Sequence, residues 1–132
     1  MQSVSFARFL ASVNDHLLVK KYTALGAAPP LQAGYFKLGA LNLPYAIGIK
    51  DATITTNSPA QIFQQVANWF HSLVGRTGGG CLVLVYNDPP ARVVDEIKKV
   101  GDGIVSVGHY DLLTGSHSVP DHLGWKADIL GG

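Results

Sequence analysis

Residues 81–108 read CLVLVYNDPPARVVDEIKKVGDGIVSVG, and the succession of patterns along this stretch decides the fold. Cys81 to Tyr86 is an unbroken apolar run of the kind carried by a strand buried on both faces. Asn87-Asp88-Pro89-Pro90 interrupts it, and Val93, Val94, Ile97 and Val100 then recur at helical spacing. Asp88 is the expected N-cap of that helix, with Pro89 in its first position and Gly101 as its stop. Ile104 to Val107 supplies a second short apolar strand. Strand, helix and strand in this order and length predict a right-handed βαβ crossover between parallel strands.

Upstream, Pro59 to Val74 is the clearest helix. Ser58 and Gln61 have capping-box spacing, Pro59 suits the first turn, and Ile62, Phe63, Val66, Trp69, Phe70, Leu73 and Val74 make a wide apolar face before Gly75. Gly75 to Gly80 reads as a flexible connector. It lacks the lysine of a phosphate-binding loop and leads from a helix into a strand, the reverse of the order such a loop needs.

Gln32 to Thr56 alternates loosely and predicts a hairpin or short meander turning near Gly39 to Pro44, with Pro29-Pro30 as a rigid connector ahead of it. Phe6, Phe9, Leu10, Val13 and Leu17 make an amphipathic N-terminal helix capped by Ser3 or Ser5. Asn14-Asp15 leaves a second reading open, in which Leu17 to Leu25 runs as a strand. The expected fold is therefore α/β, with mixed α+β as its variant: an N-terminal helix, a hairpin or meander, an amphipathic helix, the βαβ-like unit and an irregular C-terminal tail. That tail keeps Trp125, Ile129 and Leu130, which have to dock on the chain's own core or on a neighbour.

At 132 residues the chain suits one domain. It is 47% hydrophobic and 14% charged, against roughly 25% charged for an average soluble protein. It folds, and the missing charge points to surface covered by copies of itself or by another protein subunit. A net charge of +1 gives no field that would mark a nucleic-acid binder or an anionic-membrane binder. The N-terminal residues lack the pattern of a signal peptide, and no apolar run approaches a membrane span, so a cytoplasmic or particle-assembled protein is expected.

Chemistry-bearing residues concentrate in His109-Tyr-Asp111-Leu-Leu-Thr-Gly-Ser-His117-Ser-Val-Pro-Asp121-His122. Imidazole and carboxylate suit zinc or non-haem iron, and residues two apart on a strand share a face, so His109, Asp111 and His117 are the candidate metal ligands, with Asp121 and His122 in reserve. Cys81, His109 and Asp111 are the candidate catalytic set, a thiol, a base and an orienting carboxylate. Cys81 also reads simply as a small buried hydrophobe. Asp88, Glu96 and Lys98 resemble a nuclease pattern only superficially, because Glu96 and Lys98 fall on a helix where neighbours two apart diverge. Strand ends gather ligands in open α/β sheets, which makes Asp88 and His109 a rim pair to examine.

The leading expectation is a non-enzymatic assembly or interaction subunit, homo-oligomeric, part of a larger particle such as a virion or secretion machine, with no cofactor. The alternative is a small metal-dependent or Cys/His hydrolase built on residues 109–122, which would use a divalent metal.

Overall fold

The computed structural model describes residues 5–120 and 124–131. Helix α1, Phe6–Val19, starts where the Ser5 hydroxyl accepts the Arg8 amide and runs past Leu17, so the early-strand reading of Leu17 to Leu25 is not realised. Strands β1, Thr23–Ala28, and β2, Leu31–Leu38, form a hairpin closed by Pro29-Pro30. After a tight turn at Ala40–Asn42 comes β3, Pro44–Asp51. Helix α2, Pro59–Val74, leads to β4, Gly79–Tyr86, then α3, Ala91–Ile97, β5, Val105–Asp111, β6, His117–Ser118, and α4, Trp125–Leu130.

The six strands form one mixed sheet in the order β1-β2-β3-β4-β5-β6. The central strands β3, β4 and β5 are parallel and the outer pairings antiparallel. The architecture is the expected mixed α/β one, and the βαβ unit over residues 81–108 is β4-α3-β5. A second crossover, β3-α2-β4, precedes it, and the expected hairpin within residues 32–56 is β2-β3, turning at Gly39 to Leu43. Parallel β3, β4 and β5 give the molecule a polarity. Its lower end holds Pro44, Gly79 and Val105, where these strands begin, and its upper end holds Asp51, Tyr86 and Asp111, where they finish.

Period-two alternation divides the core between the two faces of the sheet. Tyr45, Ile47, Ile49, Cys81, Val83 and Val85 face α1 and α4, meeting Phe9, Val13, Leu17, Trp125 and Ile129. Ala46, Leu82, Leu84 and Val105 face α2 and α3, meeting Ile62, Val66, Phe70 and Ile97. The capping box of α2 is formed in full: the Gln61 amide donates to the Ser58 hydroxyl and the Ser58 amide to the Gln61 side chain.

Three local expectations need correction. Gly79 and Gly80 belong to β4 and are buried rather than part of a flexible connector. A Cβ on Gly80 would lie 2.6 Å from the Phe70 ring, and one on Gly78 would lie 2.1 Å from the Pro44 carbonyl oxygen. These glycines let α2, β3 and β4 approach closely. Asp88 does not cap α3: Pro90 is the N-cap, without a side-chain bond, and Asp88 holds a left-handed φ of 55°. The tail expected to be irregular carries a short helix at its end, α4, whose Trp125 and Ile129 are buried against α1 and the start of β4. The chain spends these apolar anchors on its own core.

Candidate functional site

The upper end of the sheet carries the residues with chemical potential. His109 and Asp111 are both inward-facing on β5, at 6% exposure each, on the α2/α3 face. Asp111 is committed to structure. Its carboxylate accepts the amides of Asp88 at 2.9 Å and Leu113 at 2.9 Å, and the Thr114 hydroxyl at 2.7 Å. Burial pushes its pKa up, but the hydrogen bonds from Asp88, Thr114 and Leu113 outweigh burial and hold it below the ordinary carboxylate range. This is a charged staple that joins the β4-α3 loop to the turn after β5. It also relocates the rim pair: Asp88 meets Asp111 through its backbone rather than meeting His109.

His109 lies opposite Leu84 in the parallel register and opposite Ser118 in the antiparallel one. Its Nδ1 is buried with no hydrogen-bond partner among the described residues. Burial lowers its pKa most; Asp111 opposes this, while His117 and Lys98 add to it. Burial thus favours the neutral ring. The sign follows from linkage: below about pH 6.5 the unfolded chain takes up a proton that folded His109 resists, so its contribution is lost as pH falls.

His117 is exposed and stacks on Tyr110 at 5.9 Å between ring centroids, and Tyr110 packs on Phe9 at 4.5 Å. Tyr110 alternates with His109, so His117 sits on the opposite face of the sheet from His109 and Asp111. Among the described residues no group of three His, Cys, Asp or Glu side chains comes together to hold a metal. Asp121 and His122 lie outside the described residues.

Cys81 is fully buried at the start of β4, on the α1/α4 face, opposite Ser106. Burial pushes its thiol up to about 12. It is a packed apolar group, three register steps and one sheet face away from His109, so the thiol, base and carboxylate do not assemble. His71, at the end of α2, instead pairs with Asp102 at 2.6 Å. Asp102 also accepts the amides of Ile104 and Val105, which makes it the capping group of the turn into β5.

Two further polar groups are buried at this end, and only the sheet register reveals them. Lys50 is 9% exposed on the inward face of β3, in register with Leu84 and hence with His109. Its only sequence signal is parity, since it occupies the face of Ala46 and Gly48. Tyr86 ends β4 with its hydroxyl buried and without a hydrogen-bond partner among the described residues. Burial first, and then Glu96, push its pKa up to about 12. The Tyr86 ring forms a wall of a cleft of about 330 Å³ between the start of α2 and α3, lined also by Ser58, Pro59, Pro90, Val93 and Glu96.

The lower end has a different character. Leu41 is 93% exposed, Val19 73% and Leu38 59%. The surface hollow beside Leu38 is lined by Lys20, Lys21, Lys37 and Phe36. Lys37 reaches the Lys20 carbonyl at 3.2 Å and lies over the Tyr22 ring, which pins β2 to the end of α1. The tight turn beyond is closed by the Gly39 amide to the Leu43 carbonyl at 2.8 Å and the Asn42 amide to the Gly39 carbonyl at 3.1 Å. Leu41 and Asn42 sit in it at φ 59° and 58°.

Comparison with protein-family models, with curated proteins and with solved structures finds no match to this chain. Among the described residues no helix is long and apolar enough to cross a membrane.

Proposed function

We propose that the chain is a non-enzymatic assembly or interaction subunit that associates with copies of itself, as a component of a larger particle such as a virion or secretion machine. The observation that carries this reading is Leu41. An aliphatic side chain at 93% exposure loses the benefit of burial, and a leucine at positive φ costs roughly 1–3 kcal/mol of backbone strain. Glycine or asparagine would suit the same turn better on both counts. A residue that breaks two local rules with nothing among the described residues to compensate is expected where a surface meets a partner. Val19 and Leu38 are further exposed apolar side chains of this chain, and the low charge fraction agrees with the reading.

The hydrolase alternative has no geometric support among the described residues, for the reasons given by Cys81, Asp111 and His117. Light scattering on eluted wild-type protein over a hundredfold concentration range tests the proposal. The expected mass rises above the 14.0 kDa of one chain as concentration rises, and chelator leaves it unchanged. A Val19→Glu, Leu38→Glu variant should return it to one chain with unaltered circular dichroism. A mass of one chain at every concentration would refute self-association.

A further inference from the structure

The apolar lower end bears lysines, and the upper end bears a cleft with one carboxylate, Glu96, in its lining and with Asp51 and Asp88 elsewhere at that end. Lys20 and Lys21 are exposed beside Leu38, with Lys37 next to them. Asp51 closes β3 at the upper end, Asp88 is exposed in the β4-α3 loop, and Glu96 is exposed on the wall of the cleft, with Arg92 as the cation beside it. Ile54, at 78% exposure, stands in the loop between Asp51 and the cleft. Resting on the self-association reading, we infer that the association is head to tail: the Gly39–Asn42 turn of one copy seats Leu41 in the upper cleft of the next.

Two features favour this arrangement over pairing of like ends. A two-fold contact between lower ends would bring Lys20, Lys21 and Lys37 against their own copies, and like charges across an interface are repulsive. Opposite ends instead place those lysines near Asp88 and Glu96. The sizes are also compatible: Leu41 is the most exposed large apolar side chain described, and the cleft offers about 330 Å³. Pro59, Pro90, Val93 and the Tyr86 ring give that cleft apolar walls. A contact between different surfaces on each copy does not close at two, so it builds rings or filaments.

A mixing experiment separates this geometry from self-association in general. Leu41→Gly with Lys20→Glu disables the lower end, and Asp88→Lys with Glu96→Lys disables the upper end. Both pairs of substitutions are on exposed side chains, and circular dichroism verifies the fold of each variant. Wild type is expected to grow beyond a dimer, each variant alone to stay at 14.0 kDa, and an equimolar mixture to form a species of twice that mass and stop there. If wild type associates but either variant does so alone, or the mixture stays monomeric, head-to-tail docking is wrong while self-association stands. If wild type remains monomeric at all concentrations, both fail. Wild type that is monomeric but sediments with phosphatidylserine vesicles would overturn both and reassign the lysine-flanked leucines to a lipid surface.

Discussion

Trp125→Ala lowers the unfolding free energy by about 3–5 kcal/mol, the range for removing a fully buried aromatic side chain. Trp125 is 1% exposed, sits edge-on to Tyr45 at 6.3 Å between centroids, and covers Gly79, where an added Cβ would lie 3.1 Å from its ring. The effect reaches beyond a cavity. A six-residue helix such as α4 has no stability of its own in water, so loss of its anchor frees Ile129 and breaks the contact of His16 Nδ1 with the Ile129 carbonyl. Urea unfolding followed by circular dichroism measures it. A loss under about 1 kcal/mol would mean that the C-terminal helix does not dock on its own core.

Asp111→Ala is expected to cost about 3 kcal/mol, because it strands the Asp88 and Leu113 amides and the Thr114 hydroxyl together, and a hydrogen bond to a charged group is worth roughly 1.5–3 kcal/mol net of the solvent bonds it replaces. Asp111→Asn keeps one acceptor oxygen and should cost clearly less. The pH dependence identifies the staple. Folded Asp111 and Asp102 both have depressed pKa values: burial raises each, and the hydrogen bonds to each prevail. Their stabilisation is therefore complete above the unfolded pKa of about 3.9 and disappears as pH falls through the lower folded values. His109 acts in a separate window, beginning near its unfolded pKa of about 6.5, where the buried neutral ring resists protonation. Wild-type stability should thus decline in two stages on acidification. Asp111→Ala should reduce the acid stage, and His109→Phe the earlier one. An Asp111→Ala variant as stable as wild type at pH 7 would show that its carboxylate is not the structural staple described.

What the sequence made legible is what is local. Ser58, Pro59 and Gln61 announce the start of α2 because a cap is a contact among residues three apart, and the two βαβ strands around α3 show through their unbroken apolar runs. The rest depends on contacts distant in sequence. Gly78 and Gly80 look like a flexible loop until Pro44 and Phe70 are seen to press on them. Asp88 has the composition of a cap, but its backbone amide is held by Asp111, and the helix begins after Pro90. The cluster of histidines and aspartates is dense in sequence, yet strand alternation sends His117 to the other face from His109. Lys50 and the Tyr86 hydroxyl are invisible as candidates because only the sheet register shows that they are buried. Exposure of Leu41 was equally hidden, since nothing in GALNLP distinguishes a covered leucine from an uncovered one.

Hydrogen exchange of the wild-type backbone, compared at low and high protein concentration, tests most directly whether the Leu41 end is covered by another copy. The account predicts slower exchange at high concentration in residues 38–43, with matching protection around residues 53–58, and no change in the buried strand β4. Exchange in both segments that does not depend on concentration, under conditions where β4 stays protected, would contradict it.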